Sequence, residues 1–277
     1  MSGLIVPSLT EPGTQDQAHT EGLFDINLAF PLADRRWSDF FTSNRCHIAS
    51  TADLDMLTDA LRHQRAAFSY LPSANFFFLR ADTGWRGLAS ARSARSGMPS
   101  QNSVMVVKTS NPATRWQDLR GARLGYINTY CTTSYFAPSI LIAREGLPLT
   151  SFFKAGPVPA WQGQIDAVVD GSIDVTMVYE DVWLARADNA MRTKIIARVD
   201  GLPTPAFIVR SDIGPFASKL KDALLTSPPP TGSGLLYAGF ADYQDARMQH
   251  FFDELATIPA LAQANSQHGA QRNPELV

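Results

Sequence analysis

The chain has 277 residues, 45% of them hydrophobic and 18% charged, which is enough for one or two compact domains with a sizeable core. Its formal net charge of −2 gives no electrostatic basis for binding nucleic acid or an anionic membrane surface. Cys46 and Cys131 are far apart, and neither they nor the five histidines follow a metal-ligand spacing, so no metal and no cofactor is predicted. The first residues lack the basic and apolar regions of a secretory signal, and no stretch is long enough to span a bilayer. The chain as written is therefore predicted to be cytoplasmic, without membrane insertion.

The first half of the chain alternates strand and helix patterns. Residues 1–22 are polar and rich in Gly, Pro, Thr and Gln, which predicts a mobile tail. Alternating apolar residues predict a strand at Phe24–Phe30, and leucines at helical spacing predict a helix over Asp53–His63. A further strand is predicted at Ala66–Leu71. Strands that alternate with helices indicate an α/β fold with a largely parallel sheet.

The second half repeats this organisation. The polar, basic segment Gly87–Gln101 is predicted to be a loop, or a strand with a long connection, and Ser103–Lys108 is predicted to be a buried strand. Further strands are predicted at Ile173–Tyr179 and at Pro205–Arg210, the second of which could return to the first half. Two strand–helix segments joined by two extended strands predict two lobes with a cleft between them, where ligands of α/β proteins bind.

The segment Tyr126–Pro138 carries the strongest chemical signal. It lies between a short apolar strand pattern and an apolar helix pattern, and it is rich in small hydroxyl and thiol side chains. The first N–H groups of a helix have no intrahelical partner, so Thr132, Thr133 and Ser134 are suited to hold an oxyanion. Taken alone, these residues are more typical of an ordinary helix N-cap.

Four segments together resemble the phosphonate/phosphite-type substrate-binding proteins of ABC transporters, which have the type II periplasmic-binding-protein fold. The segments are Ser103–Gly125, Cys131–Pro138, Asp170–Asp181 and Gly239–Arg247, and the resemblance runs from about Ile26 to Met248. It implies an α/β, two-lobed fold with two crossover hinge strands, the hinge lying near Val107–Lys108 and Thr204–Ala206. Lobe 1 is expected to comprise residues 23–107 and 206–262, lobe 2 residues 108–205, and residues 1–22 and 263–277 flexible tails.

The resemblance also implies a ligand site. The family's anion loop matches residues 131–134, and a carboxylate is expected from the turn after the strand at 173–179. The expected ligand-binding residues are Cys131, Thr132, Thr133, Ser134, Tyr70, Ser73, Trp161, Glu180 and Asp181. Trp161 is equally consistent with a core residue, and the two acidic residues are also suited to cap the following helix.

The chain departs from the family pattern at several positions. Trp161 corresponds to a family histidine, Cys131 to a serine and Ser134 to a glycine, and Gln101–Asn102 stand where the family has an aromatic pair. The implied ligand is a phosphonate- or phosphate-like anion, with a carboxylate, a sulfonate or an aromatic acid stacked on Trp161 as alternatives.

The resemblance implies a binding protein, not an enzyme, that captures a small anion and has an ABC permease as partner. Members of the family are periplasmic or lipid-anchored. The alternative is a cytosolic enzyme on the same fold that acts on a small acid, with a cleft carboxylate or Cys131 in catalysis, because a thiol at a helix N-terminus has a lowered pKa. An inert Cys131, replacing serine as a small loop residue, is the more typical outcome.

Overall fold

A computed structural model describes residues 20–28, 34–79, 84–158, 160–228, 236–259 and 261. Most of the two predicted tails, residues 1–22 and 263–277, lies outside these residues, except that residues 20–22 belong to the first strand. Within the described residues, no helix is long and apolar enough to cross a membrane. No group of three or more His, Cys, Asp or Glu side chains in the same residues is arranged to hold a metal ion.

The first lobe is a six-stranded sheet with helices. Its strands are β1 (Thr20–Asp25), β2 (Cys46–Thr51), β3 (Phe68–Leu71), β4 (Trp85–Ser93), β10 (Ala206–Arg210) and β11 (Tyr237–Asp242). They lie in the order β11-β4-β10-β3-β1-β2, with β1 parallel to both β2 and β3. Its helices are α1 (Arg35–Ser43), α2 (Leu54–Arg62), α3 (Ser73–Leu79), α9 (Pro215–Thr226) and α10 (Asp245–Ala256).

The second lobe is a five-stranded sheet with helices. Its strands are β5 (Ser100–Lys108), β6 (Arg123–Tyr126), β7 (Lys154–Pro157), β8 (Val175–Tyr179) and β9 (Thr193–Pro203), in the order β7-β6-β8-β5-β9. Its helices are α4 (Ala137–Ala143), α5 (Leu149–Phe152), α6 (Trp161–Asp170), α7 (Glu180–Leu184) and α8 (Ala187–Arg192). The α/β, two-lobed periplasmic-binding-protein fold expected from the sequence is confirmed.

The first strand differs from the prediction. It covers Thr20–Asp25, not Phe24–Phe30, and a short 3-10 turn follows at Ile26–Leu28. The Asp25 carboxylate accepts hydrogen bonds from the Asn27 backbone N–H at 2.9 Å and from its side-chain amide at 3.0 Å. Aspartate side chains that bond the backbone two residues on form turns, so the strand ends here. Residues 29 and 30 lie outside the described residues.

The segment predicted as a loop or strand at Gly87–Gln101 contains β4, which lies between β10 and β11. Small residues make this buried strand hard to recognise, because its apolar pattern is weak. Packing requires glycine at position 87, because a Cβ there would lie 2.3 Å from the ring of Tyr243.

The chain passes between the sheets twice. The first passage lies between Ser93 and Ser100, because β5 is hydrogen-bonded to β8 and β9 in the second sheet. This is earlier than the predicted boundary at residues 107 and 108. The strand is a continuous apolar run, which shows that it is buried but not which sheet it joins. The second passage, between Pro203 and Ala206, coincides with the predicted one.

The lobes meet through buried side chains. Phe77 of the first lobe and Phe136 of the second belong to one continuous apolar cluster. The ring of Phe78 lies 5.6 Å from that of Tyr130 and 6.3 Å from that of Phe136. This contact packs the segment after β6 against α3 of the first lobe.

Candidate functional site

The predicted anion loop forms the start of a helix. A π-helical turn at Thr132–Phe136 continues directly into α4, so the chain is helical from Thr132 to Ala143. The Cys131 sulfur caps this helix by accepting the N–H of Ser134 at 3.3 Å. Within the described residues, no hydrogen-bond acceptor contacts the backbone N–H groups of Thr132 and Thr133. These two N–H groups are therefore suited to donate to a ligand.

Hydrogen bonds hold the loop in place from two sides. The Ser134 hydroxyl accepts the N–H of Ile127 at 3.0 Å, which joins the loop to the end of β6. The Ser103 hydroxyl on β5 donates to the carbonyl of Thr133 at 3.1 Å. Thr132, Thr133 and Ser134 are all buried, so their polar groups must be satisfied by protein or by a bound molecule.

A chain of buried hydroxyl groups leads from the loop into the first lobe. The Thr133 hydroxyl lies 3.4 Å from the Cys131 sulfur and also bonds the hydroxyl of Tyr179, at the end of β8. The Tyr179 hydroxyl lies 2.9 Å from that of Tyr237 on β11, which lies 3.1 Å from the side-chain oxygen of Gln101. We call these five residues the hydroxyl chain; it connects the two lobes.

Tyr70 lies beside the hydroxyl chain. It is fully buried at the end of β3, and its ring stacks on Phe207 at 4.8 Å. Its hydroxyl has no hydrogen-bond partner among the described residues, which is costly for a buried polar group. Burial and the nearby Tyr179 and Asp25 raise the pKa of this phenol well above its usual value, so it stays protonated as a donor.

Tyr179 and Tyr237 are also donors at any physiological pH. Burial is the main reason that the pKa of each phenol is raised, and the proximity of Cys131 adds to it for both. Tyr179 and Tyr237 therefore present neutral O–H groups within hydrogen-bonding distance of each other.

The two predicted carboxylates have protein partners. Glu180 binds the Arg198 guanidinium in a bidentate ion pair and accepts from the Asn102 amide at 2.9 Å. The hydrogen bonds from Arg198 lower the pKa of Glu180. Asp181 accepts from the Ser93 hydroxyl of the first lobe at 2.6 Å. A direct role of either carboxylate toward a ligand stays a prediction.

Ser73 lies at the second passage between the lobes. Its hydroxyl donates to the carbonyl of Thr204 at 2.6 Å, and the Thr204 hydroxyl donates to the carbonyl of Ala91 at 2.6 Å. Ser73 thus fixes the passage, and its role toward a ligand stays a prediction. Trp161 is the first residue of α6, and its side chain lies outside what the structure describes.

The nucleophile alternative needs a base beside Cys131. His47 bonds Glu21 at 2.8 Å and His63 bonds Asp59 at 3.2 Å, and both imidazoles are exposed on the first lobe. Among the described residues, the hydrogen-bond partners of the thiol are the hydroxyl of Thr133 and the N–H of Ser134, and neither is a base. Cys46 and Cys131 are both free thiols, and burial raises the pKa of Cys46 to about 11.

A family model for the periplasmic phosphonate substrate-binding proteins of ABC transporters matches residues 42–251, more than half of the chain. The chain belongs to this family. A comparison with curated proteins finds no match. The family assignment confirms the resemblance noted from the sequence.

Solved structures agree on the fold. XAC2383 from Xanthomonas citri, bound to chloride ion, is similar at 17% identity and a TM-score of 0.70, over 87% of this chain and 98% of that one. A binding protein of an ABC phosphonate transporter from Pseudomonas aeruginosa has 13% identity and a TM-score of 0.64, over 93% and 100% of the two chains. PhnD1 from Prochlorococcus marinus, in complex with methylphosphonate, has 12% identity and a TM-score of 0.66, over 86% and 98%.

Three residues of this family member were missed as site candidates. Gln101 stands out only because it replaces a family aromatic residue, and Tyr237 and Asp25 carry no sequence signal of their own. Gln101 and Tyr237 lie where β5 and β11 begin, and Asp25 lies where β1 ends; strand order is not readable from single strands. The topology therefore completes a site of which the sequence reveals one loop.

Proposed function

We propose that the chain captures a small oxyanion between its two lobes, at Thr132–Ser134, and presents it to an ABC permease. The observation that carries this proposal is the Tyr70 hydroxyl, which is fully buried without a hydrogen-bond partner among the described residues and lies near Tyr179, a partner of Thr133. A bound ligand that accepts a hydrogen bond from this hydroxyl would offset the cost of burying it.

The donor set supports an oxyanion. The N–H groups of Thr132 and Thr133 and the hydroxyl of Tyr70 are donors without an acceptor among the described residues, and Tyr179 links them by bonding Thr133 and lying near Tyr70. Helix N-termini favour negative charge, because the helix dipole places partial positive charge there. Phosphonate, phosphite, sulfonate and carboxylate groups all carry negatively charged oxygens that can accept hydrogen bonds from these donors.

Contacts between the lobes support a closed state that a ligand stabilises. The Tyr130 hydroxyl donates to the Asp55 carboxylate of α2, and the Ser93–Asp181 bond also joins the lobes. A ligand bound between lobes adds contacts to both, so its affinity favours the closed arrangement. The closed arrangement is the one we propose the permease recognises.

Calorimetric titration tests the proposal. Protein that has been unfolded, dialysed and refolded to remove bound ligand would be titrated with phosphate, phosphite, methylphosphonate, methanesulfonate and small carboxylates. We expect at least one of them to bind, and the double variant Thr132→Val, Thr133→Val to weaken that binding at least tenfold, because it removes the two hydroxyl groups that accompany these N–H donors.

The matched control is Thr109→Val. The Thr109 hydroxyl bonds the carbonyl of Met191 at 3.1 Å on the exposed side of the second lobe. Affinity should be unchanged in this variant. Binding of none of the anions, or equal affinity in the double variant and the control, would contradict the proposed site.

A further inference from the structure

We infer that this cleft, as the ligand site proposed above, selects singly charged oxyanions over doubly charged ones. The inference rests on which charged groups surround the hydroxyl chain and Tyr70. The titratable side chains around the site come from five elements. They are Asp25 on β1, Tyr70 on β3, Cys131 before the helix start, Tyr179 on β8 and Tyr237 on β11. Each of these groups is a neutral donor or an acid.

Basic side chains near the cleft are directed elsewhere. Arg198 pairs with Glu180, and Arg95 is the other cation whose charge acts on that carboxylate. Arg92 donates through Nε to the carbonyl of Phe240 at 2.8 Å, and Arg247 donates to the carbonyl of Gly201 at 3.1 Å. Among the described residues, no Lys, Arg or His side chain bonds a member of the hydroxyl chain.

The electrostatic neighbours of the phenols agree with this arrangement. The titratable neighbours that raise the pKa of Tyr70 are Tyr179 and Asp25, and those that raise the pKa of Tyr237 include Tyr179, Tyr70 and Cys131. All of them are acids. Tyr130, at the edge of the cleft, shows the contrast, because the charge of Arg62 acts on it in addition to that of Asp55.

Solvation explains the selection. Taking an ion out of water is costly, and the cost rises with the square of its charge. A helix N-terminus supplies roughly half an elementary positive charge, and hydroxyl dipoles add directed donors. These can stabilise one negative charge, whereas a second one needs a cation. Burial raises the pKa of the Asp25 carboxyl group, and this group adds to the cost of a dianion whenever it is ionised.

The pH dependence of binding tests the inference. Methylphosphonate and phosphite each lose a second proton near neutral pH, as phosphate monoesters do with a second pKa of about 6. Methanesulfonate stays a monoanion throughout. Each would be titrated calorimetrically into the ligand-free protein between about pH 5.5 and about pH 8.5.

We expect the affinity for the two diprotic probes to fall by about tenfold per pH unit above their second ionisation. The affinity for methanesulfonate should stay constant across the range. Because a protein group that titrates would change all three affinities together, methanesulfonate separates the ligand's ionisation from that of Asp25. Binding of methanesulfonate with neither diprotic probe bound at about pH 5.5, where both are mainly monoanions, would contradict selection by charge.

Two further outcomes would overturn the inference. Affinity for methylphosphonate or phosphite that rises or stays level with pH, beside a constant affinity for methanesulfonate, would show that the dianion is accepted. That result would leave the proposed oxyanion site intact. No binding of any probe at any pH would instead contradict the proposed site itself, and the charge selection with it.

Discussion

The hydroxyl of Tyr237 lies 2.9 Å from the hydroxyl of Tyr179, so a strand of the six-stranded sheet touches a strand of the five-stranded sheet through two phenols. Tyr237 also lies 3.1 Å from the Gln101 side-chain oxygen. One O–H cannot donate to both acceptors at once, so Tyr179 and Gln101 share it. The pair joins the lobes with groups that a ligand at Thr133 would touch.

Tyr237→Phe should weaken ligand binding. It removes one interlobe hydrogen bond, worth about 1 kcal/mol or roughly fivefold in affinity. Calorimetry with the tightest-binding anion measures the change, and Tyr135→Phe, on a ring that lines a cavity of about 220 Å³ behind the loop, is the control. Equal affinities in the two variants would mean that the Tyr237–Tyr179 hydrogen bond does not stabilise the closed arrangement of the lobes.

Tyr70→Phe should have opposite effects on stability and binding. Removing an unpartnered buried hydroxyl removes its desolvation cost, so ligand-free protein should gain about 1 kcal/mol in free energy of unfolding. Affinity should fall at least fivefold, because the donor is lost. Denaturant unfolding and calorimetry measure the two quantities, and a variant that is less stable without ligand and binds normally would refute a ligand role for this phenol.

Cys131→Ser should keep both folding and binding. The Cys131 sulfur caps the helix at Ser134, and a serine hydroxyl is a better N-cap acceptor. Cys131→Ala removes the cap and should cost about 1 kcal/mol in free energy of unfolding. Urea unfolding of the two variants measures the difference. Loss of anion binding in the serine variant would point to a requirement for the thiol itself.

Glu180→Gln should destabilise the protein at neutral pH and not in acid. The folded-state pKa of Glu180 is lowered below its usual 4.5, so its ion pair stabilises the fold above that pH and is lost as the pH falls through the folded value. The cost at pH 7 should be about 1 kcal/mol, because Arg198 is partly exposed.

Unfolding curves at pH 7 and at about pH 3 measure this difference. Glu145→Gln serves as control, because Glu145 is exposed and makes no ion pair within the described residues. A Glu180→Gln cost that persists undiminished in acid would show that packing, not charge, accounts for it.

A double-mutant cycle on Tyr130→Phe and Asp55→Asn should show coupling in ligand affinity. The two side chains bond each other across the lobes, and burial with the Asp55 bond raises the pKa of Tyr130 to about 12. A coupling of about 0.5–1 kcal/mol in binding free energy is expected. Additive effects within error would show that the contact forms independently of closure.

Local patterns were sufficient to predict the loop and the fold. The run of small hydroxyl residues before an apolar pattern predicted a helix start at Thr132–Ser134, which the structure has, and the alternation of strands and helices predicted the α/β fold class. Partners far apart in sequence were not predictable: Ser93 with Asp181, or Tyr237 with Tyr179. Such pairs depend on strand order and on which sheet β5 joins, and an apolar strand carries no information on either.

The bonds at the second passage determine where the molecule can bend. Thr204 is tied to Ser73 and Ala91, and the carbonyl of Pro205 accepts the N–H of Ala91 at 2.8 Å, so residues 204 and 205 move with the first lobe. If the lobes rotate, we therefore expect the backbone change to fall outside residues 204 and 205. Glycines with positive φ lie near both passages, Gly97 at +70° and Gly201 at +69°, where other residues would be strained.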